Sequence, residues 1–284
     1  MMTRFRTLAW AAAVCTYLLI VLGAIVRITG SGLGCGDHWP LCNGHLFPPT
    51  GDIGTVIEWS HRLVAALVSV LVLALAVVDW RRSMVAVGLL VLQVGLGAIT
   101  VKLELPPWSV VLHLGTAMLL LATLLVAVRG VGAQHAAPLQ LSLPVLAFVT
   151  VLFGALTANL GAAAACGGFP LCNGQIWITA GPLAVIQWIH RLLAYSLAIA
   201  VAVWAIRSPG RGPRLVVGLV VLQIAIGAAT VLLGLPRGLQ AAHVAVGAAL
   251  WAGVILATRE PQKAPSAASG PFGASRPGRA TAGG

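Results

Sequence analysis

The chain has 284 residues, of which 59% are hydrophobic and only 8% are charged, whereas soluble domains carry about 25% charged residues. This composition excludes an ordinary soluble globular domain. The formal net charge of +11 would suggest nucleic-acid binding in a soluble protein, but the placement of the basic residues indicates a membrane protein, and no nucleic-acid partner is expected.

The apolar residues fall in eight blocks of about twenty, the length that crosses a hydrocarbon core. Segments in lipid must be helical, because backbone amides need partners within the segment. The first block is expected to be a retained helix and not a signal peptide, since no small-residue cleavage site follows it. The sequence predicts an all-α membrane protein with eight transmembrane helices, at 7–29, 56–78, 84–103, 108–128, 138–161, 183–206, 213–234 and 237–258.

The basic residues divide unequally between the two ends of these helices. If both termini are cytoplasmic, only Lys102 and Arg237 lie in outer loops, and Arg27, Arg62 and Arg191 lie at outer helix ends. The inner side then holds Arg4, Arg6, Arg81, Arg82, Arg129, Arg207, Arg211, Arg214, Arg259, Lys263, Arg276 and Arg279. Cytoplasmic loops of membrane proteins are enriched in Lys and Arg. We therefore expect a multi-pass cell-membrane protein with cytoplasmic termini, ending in a disordered tail at 260–284.

The chain also repeats itself. PLCNG occurs at 40–44 and 170–174, and VLQ occurs at 91–93 and 221–223, both with an offset of 130 residues. EWSHR at 58–62 corresponds to QWIHR at 187–191. This many matches in one register indicates a tandem repeat. Each unit holds four helices, so we expect two parallel four-helix bundles, 1–130 and 131–259, related by an axis along the membrane normal.

Four histidines, one pair in each half, are candidate metal ligands: His61 with His113, and His190 with His243. By the predicted topology all four lie about 6–10 Å below the outer boundary. Two imidazoles facing each other in a four-helix bundle can supply both axial ligands of a haem. A hydrogen-bonded packing role is the alternative for a single membrane histidine. Zinc is disfavoured, because no cysteine or carboxylate completes a tetrahedral set at this depth in both halves.

Glycines near these histidines have two interpretations. They would leave room for a flat macrocycle, or they would allow close helix packing. The glycines in question are Gly95, Gly97, Gly115, Gly227 and Gly247.

One carboxylate breaks the symmetry of the repeat. Glu58 lies three residues before His61, so both project from one helix face, and the corresponding residue of the second half is Gln187. An ion pair with Arg62 or Arg27 is one interpretation of Glu58. An acid/base or charge-stabilising role beside a substrate is the other. The asymmetry predicts chemistry in the first half and a fixed cofactor site in the second.

Arg62 and Arg191 directly follow the ligand candidates of the two halves. Each guanidinium could clamp a haem propionate, or could extend to lipid headgroups.

Paired cysteines occur in two outer loops, Cys35 with Cys42 and Cys166 with Cys172. The outer face of a bacterial membrane is oxidising, so one disulfide in each loop is predicted. Zinc binding by Cys35 and Cys42 with His38 or His45 is the alternative in the first loop. Whether a disulfide there is redox-active or structural stays open. Cys15, inside the first helix, is expected to be a packing residue.

Taken together, these motifs resemble the haem A synthase family over residues 10–258. The resemblance rests on RITGSGL at 27–33, WPLC at 39–42, EWSHR at 58–62 and the later histidines. It implies an oxidoreductase that hydroxylates the C8 methyl group of haem O successively to a formyl group, giving haem A for cytochrome oxidase. Two departures are visible: the first loop reads CGDHW at 35–39 where a Pro-Asp-Trp run is expected, and the second half keeps cysteines that some members lack.

The resemblance also assigns roles to residues. His61 and His113 would hold the substrate haem, and His190 and His243 would hold a haem b cofactor that carries electrons away. Glu58 would be the essential carboxylate. The Cys35–Cys42 pair would be the functional disulfide.

Partners and rival functions follow from the same assignment. Besides haem O and the lipid membrane, the haem O synthase and cytochrome oxidase assembly factors are candidate partners by substrate hand-off. A rival function is a non-enzymatic dihaem b-type electron carrier, which would need no carboxylate at Glu58. A haem transporter is weaker, because parallel repeats with outer histidine pairs show no inner gate.

Overall fold

The computed structural model describes residues 2–48, 51–129, 138–177 and 181–259. Within these ranges the chain forms eight long helices and a short 3₁₀ helix at Ala162–Ala164, with no β-strand. The helices are α1 Met2–Thr29, α2 Ile53–Val78, α3 Trp80–Lys102, α4 Pro107–Arg129, α5 Pro138–Asn159, α6 Pro182–Arg207, α7 Arg211–Leu232 and α8 Arg237–Ala257.

All eight helices are long and apolar enough to cross a membrane, counting only the part of the chain that the structure describes. This confirms the predicted class, an all-α multi-pass membrane protein. Many large apolar side chains point outward from the bundle, for example Val77 and Ile206, which are 89% and 80% exposed. A soluble protein could not leave so much apolar surface in water, whereas lipid tails cover it without cost.

The helix boundaries agree with the hydropathy blocks to within three residues, except at two N-termini. Helix α1 begins at Met2 instead of residue 7, and α3 begins at Trp80 instead of residue 84. In both cases the extra turn contains arginines. Their low hydropathy ends the predicted apolar block, although a helix can continue through arginines outside the hydrocarbon core. Asp79 fixes the start of α3, because its carboxylate accepts a hydrogen bond from the backbone amide of Arg82.

Consecutive helices pack as hairpins, α1 with α2, α3 with α4, α5 with α6 and α7 with α8. We call α1–α4 the first half and α5–α8 the second half. The halves meet where α8 contacts α1 and α4, and where α4 contacts α5. The indole of Trp251 donates to the carbonyl oxygen of Met118 at 2.8 Å, and the hydroxyl of Tyr17 donates to that of Ala245 at 3.2 Å. These bonds join α8 to both α4 and α1, so the two halves share one core.

The predicted tail at 260–284, with Lys263, Arg276 and Arg279, lies outside the described residues.

Candidate functional site

The four candidate histidines occupy matching positions in their helices. Those of α2 and α6 lie eight residues after the helix begins, and those of α4 and α8 lie six residues after it. His61 and His113 are close enough that their protonated forms would repel each other, and so are His190 and His243. The two imidazoles of each predicted pair therefore lie within electrostatic range of each other.

Each histidine faces a glycine of the preceding helix. A methyl group placed on Gly23 of α1 would lie 3.2 Å from Nε2 of His61, and one on Gly97 of α3 would lie 3.2 Å from Cε1 of His113. In the second half the distances to Cε1 are 2.8 Å from Gly154 to His190 and 2.9 Å from Gly227 to His243. Any larger residue would have to displace the imidazole. The four glycines thus determine where the rings can lie.

Other glycines near the histidines have different neighbours. A methyl group on Gly115 would lie 2.9 Å from Leu152 of α5, so Gly115 serves helix packing between the halves. Of the predicted set, Gly97 and Gly227 face imidazoles, and Gly247 faces the amide of Gln223.

Three of the imidazoles make a polar contact with a neighbouring helix. Nδ1 of His190 lies 3.1 Å from the carbonyl oxygen of Thr150, the kind of bond that orients a metal-ligating histidine and leaves Nε2 for the metal. Nε2 of His113 lies 3.1 Å from the side-chain amide of Gln93. Nε2 of His243 lies 3.2 Å from that of Gln223.

A haem fits this arrangement of residues. Two imidazoles from alternate helices interact electrostatically in each half, and glycines let each ring pack against the backbone of the preceding helix. Within the described part of the chain, Nδ1 of His113 and of His243 are buried without a hydrogen-bond partner, and so are the amide oxygens of Gln93 and Gln223. Buried polar atoms in proteins are rarely left unpaired, so these clusters have the donor set and the unsatisfied atoms of a ligand site.

Glu58 is buried, with 3% of its surface exposed. Its Oε2 accepts a 2.8 Å hydrogen bond from the backbone amide of Cys35, and its Oε1 forms a 2.6 Å ion pair with Arg62. Of the two cationic partners considered from the sequence, the structure selects Arg62. A buried carboxylate needs such bonds to remain charged. Glu58 is therefore held beside the first disulfide, on the same helix as His61.

Arg62 and Arg191 bind the cysteine loops instead of extending to lipid headgroups. Nη1 of Arg62 donates to the carbonyl oxygens of residues 38, 40 and 41. Nη1 of Arg191 donates to those of residues 168, 170 and 171. Contact of either guanidinium with a haem propionate stays a prediction.

The second half reproduces the loop contact without the charge. Oε1 of Gln187 accepts a 2.7 Å hydrogen bond from the backbone amide of Cys166, as Glu58 does from Cys35. The remaining hydrogen bonds differ. The amide group of Gln187 donates to Ala163, and Nη2 of Arg191 donates to the carbonyl oxygen of Cys166.

Both predicted disulfides are present, Cys35–Cys42 and Cys166–Cys172, with Cα atoms 4.4 and 4.7 Å apart. Each closes a loop that continues into the tight turn after the second cysteine, where Asn43 and its counterpart in the second half adopt a positive φ. The zinc alternative is not supported, since the described residues contain no group of three or more His, Cys, Asp or Glu that could hold a metal ion. Cys15 is a half-buried free cysteine that packs against the core, as expected.

Sequence reasoning missed two kinds of site residue. Gln93 and Gln223 contact imidazoles, and the VLQ repeat that contains them was the available signal. Thr150 was missed because it contributes a backbone carbonyl, for which no side-chain pattern exists.

Known proteins resemble this chain over most of its length. The sequence profile of the COX15-CtaA family, described as cytochrome oxidase assembly protein, matches residues 6–255. A heme A synthase of Shouchella clausii is 32% identical, with 76% of this chain and 82% of the relative aligned. Heme A synthases of Bacillus licheniformis and Geobacillus kaustophilus are 33% and 32% identical, with 79% and 84% of this chain aligned and 85% and 86% of those relatives. The chain therefore belongs to the COX15-CtaA family of cytochrome oxidase assembly proteins.

Proposed function

We propose that this protein is a haem A synthase, a membrane oxidoreductase that converts the C8 methyl group of haem O to a formyl group. One observation carries this assignment beyond haem binding. A buried, charge-paired carboxylate, Glu58, lies three residues from the ligand candidate His61, and the second half has the neutral Gln187 in its place. A protein that only carried electrons between two equivalent haems would have no use for this difference.

In this proposal the two halves bind different haems. The first half, 1–130, holds the substrate haem O between His61 and His113. The second half, 131–259, holds haem b between His190 and His243. Support comes from the paired placement of the imidazoles and from the Thr150 carbonyl, which would orient His190 for ligation through Nε2.

Conversion of the methyl group to a formyl group is a four-electron oxidation that adds one oxygen atom: with water as the oxygen source, R–CH3 + H2O gives R–CHO + 4 H+ + 4 e−, and an external electron acceptor takes the electrons. Two successive two-electron hydroxylations of the methyl group give an alcohol and then an aldehyde hydrate, which loses water to leave the formyl group. Haem b, when bound in the second half, supplies a one-electron carrier.

The chain's own residues position the substrate and handle protons. His61 and His113 fix the orientation of haem O, so that its methyl edge is presented to one place in the first half. Glu58 accepts protons released there or stabilises positive charge that develops on the substrate. Arg62 holds Glu58 and the first cysteine loop together, which keeps the carboxylate at a fixed position.

The orientation in the membrane is part of the same proposal. The termini are cytoplasmic and the two cysteine loops are extracytoplasmic. The excess of basic residues at the opposite ends of the helices supports this sidedness, and so do disulfides in both loops. Haem O enters laterally from lipid, with its farnesyl tail in the membrane. The haem O synthase and cytochrome oxidase assembly factors are the candidate protein partners.

Pigment analysis of the purified protein tests the function directly. The full-length protein is produced with and without a supply of haem O, and the extracted haems are separated by chromatography. We expect haem b in both preparations, and haem A only in the one that is supplied with haem O. The rival dihaem electron carrier would leave haem O unmodified.

A further inference from the structure

A side-chain amide contacts the imidazole of α4 and that of α8 in the same way. The amide nitrogen of Gln93 lies 3.1 Å from Nε2 of His113, and that of Gln223 lies 3.2 Å from Nε2 of His243. The glutamines lie on the neighbouring helices α3 and α7, at equivalent positions of the VLQ repeat. The proposed function gives neither of them a role.

Nε2 is the nitrogen through which these imidazoles can reach an iron. Their opposite edge faces the backbone of the neighbouring helix. A methyl group on Gly227 would lie 2.9 Å from Cε1, 3.4 Å from Nδ1 and 3.9 Å from Nε2 of His243. On Gly97 it would lie 3.2 Å from Cε1 and 3.8 Å from Nδ1 of His113. In both imidazoles the neighbouring backbone therefore lies closer to Nδ1 than to Nε2, which leaves Nε2 the more open nitrogen for an iron.

An imidazole nitrogen carries either one proton or one lone pair. A hydrogen bond to Nε2 and an iron bond to Nε2 therefore exclude each other. Accepting the proposed function, we infer that Gln93 and Gln223 are positioning residues that compete with haem iron for Nε2 of His113 and His243. Each amide contacts the nitrogen that would bind iron and must release Nε2 when iron binds.

The hydrogen bond between the amide and the imidazole can be displaced easily, because other polar atoms of both side chains remain unpaired in the part of the chain that the structure describes. In both halves the described residues provide no partner for the amide oxygen or for Nδ1 of the imidazole. Buried unpaired polar atoms offset most of the free energy that one hydrogen bond supplies.

Competition has a use in the first half in particular. There the substrate haem must bind and the product haem must leave in every catalytic cycle. An amide that takes the place of iron at Nε2 lowers the affinity for both and helps the product to dissociate. In the second half the same contact controls how firmly the resident haem b is held.

The second half allows the sharper test. The full-length protein in detergent, loaded with haem b, is equilibrated with increasing amounts of an apo-globin, and the partition of haem gives its relative affinity. Gln223→Leu removes the competing amide, so we expect haem b to bind about two- to tenfold more tightly. Gln223→Asn, whose side chain is too short to reach Nε2, should act in the same direction while remaining polar.

Two further variants complete the set. Gln223→Glu should weaken haem binding, because a carboxylate pairs with the protonated imidazole, which cannot ligate iron. Gln240→Leu is the matched control, since this glutamine of α8 bonds to the carbonyl oxygen of Leu235 instead of to an imidazole. Its haem affinity should equal that of the unsubstituted protein.

The bound haem supplies a readout independent of affinity. Because the amide no longer touches Nε2 after ligation, Gln223→Leu should leave the midpoint potential and the electron paramagnetic resonance spectrum of haem b unchanged. Weaker or unchanged haem binding in both Gln223→Leu and Gln223→Asn would overturn the inference, and a shifted potential would instead make the glutamine a partner of the ligated imidazole. Failure of the proposed function looks different: the unsubstituted protein would then leave supplied haem O unmodified, whatever the glutamine variants do.

Discussion

The carboxylate of Glu58 and the guanidinium of Arg62 form an ion pair across one turn of α2, with 2.6 Å between Oε1 and Nη2. The side chains are 5% and 15% exposed, respectively. The same guanidinium donates to carbonyl oxygens of the first cysteine loop. A negative charge, the helix that carries His61 and a disulfide loop are thus joined in one polar cluster.

Replacing Glu58 with Gln should separate the charge of this residue from its structural contact. Gln187 shows that an amide oxygen can accept the hydrogen bond from the cysteine amide in this fold. We expect Glu58→Gln to retain haem and a folded loop but to lose haem A formation by about 100-fold or more, the usual contribution of a positioned acid or base. Turnover of supplied haem O and the haem content are measured on the same preparation.

Glu58→Ala is the companion variant. It removes both the charge and the acceptor, so it should be as inactive as Glu58→Gln and less stable. If either variant converted haem O at the normal rate, the proposed role of the carboxylate would be wrong.

Removing Arg62 should destabilise the protein through the charge that it leaves behind. Breaking a buried ion pair by deleting one partner costs about 3–5 kcal/mol, so Arg62→Ala should lower the free energy of unfolding by an amount at the low end of this range, given its partial exposure. The double variant Arg62→Ala with Glu58→Gln should recover part of the loss, because no unpaired charge remains. Thermal unfolding in detergent measures the stability of Arg62→Ala, of Glu58→Gln and of the double variant, which together form a double-mutant cycle.

Arg191→Ala is the control in the second half. It loses comparable loop contacts, at the carbonyl oxygens of residues 168 and 171, next to a neutral glutamine. An equal effect of Arg62→Ala and Arg191→Ala would mean that the loop contacts, and not the ion pair, account for the stability.

The two disulfides should differ in function although they resemble each other in structure. The two cysteines of each pair are seven and six positions apart in the sequence. A disulfide that closes a loop of this size stabilises the folded protein by about 2 kcal/mol. Replacing either pair with serines should therefore lower the melting temperature to a similar extent. Haem A formation should fall only with Cys35→Ser and Cys42→Ser, because the backbone amide of Cys35 is the hydrogen-bond donor to Glu58.

Activity that survives the loss of the first disulfide would show that Glu58 does not depend on the closed loop. Activity that is lost with either pair would point to a general requirement for folded loops instead.

The start of α2 should depend on pH through Asp52. Its carboxylate accepts hydrogen bonds from the backbone amide and the hydroxyl of Thr55, and these hold the pKa of Asp52 below its usual value. A lowered pKa in the folded state gives stability that is present above the unfolded-state pKa of about 3.9 and lost as the pH falls through the folded-state value. Asp52→Ala should therefore melt at a lower temperature than the unsubstituted protein at pH 7, and the difference should shrink below about pH 4. The same difference at both pH values would exclude a contribution from the charge.

Most of the fold was predictable because lipid imposes a simple rule on the sequence. A run of apolar residues of sufficient length must be a helix, so hydropathy alone located all eight. The errors occurred where another interaction decides, as at α3, whose first turn is set by the carboxylate of Asp79 and contains Arg81 and Arg82. Hydropathy cannot detect a capping residue.

The candidate site could be predicted from the sequence only at positions where the two repeats can be compared. Matching offsets identified the candidate histidines of both halves and the exchange of Glu58 for Gln187. The bond from Cys35 to Glu58 was not predictable, because it depends on how a loop of turns folds back over α2. The contacts of Gln93 and Gln223 depend on how neighbouring helices are rotated against each other, which apolar periodicity specifies poorly when lipid surrounds the bundle.

Two glycines of α3, only two residues apart, offer a matched test of the first haem site. A methyl group on Gly97 would lie 3.2 Å from Cε1 of His113, whereas one on Gly95 would have no described atom within 4 Å. Gly97→Ala must therefore push the imidazole aside or move α3. Overpacking of this kind costs about 1–3 kcal/mol, which corresponds to haem O binding that is weaker by about tenfold, since each 1.4 kcal/mol is a factor of ten.

Gly95→Ala should bind haem O like the unsubstituted protein and should be slightly more stable, because alanine favours a helix over glycine by up to about 1 kcal/mol. Haem O titration of both variants, followed by the Soret absorbance, measures the difference. The second half provides the same comparison on α7, where Gly227 faces His243 at 2.9 Å and a methyl group on Gly218 would contact nothing that the structure describes. Equal haem binding by Gly97→Ala and Gly95→Ala would mean that the ring of His113 is free to move, and that its orientation is not set by the backbone of α3.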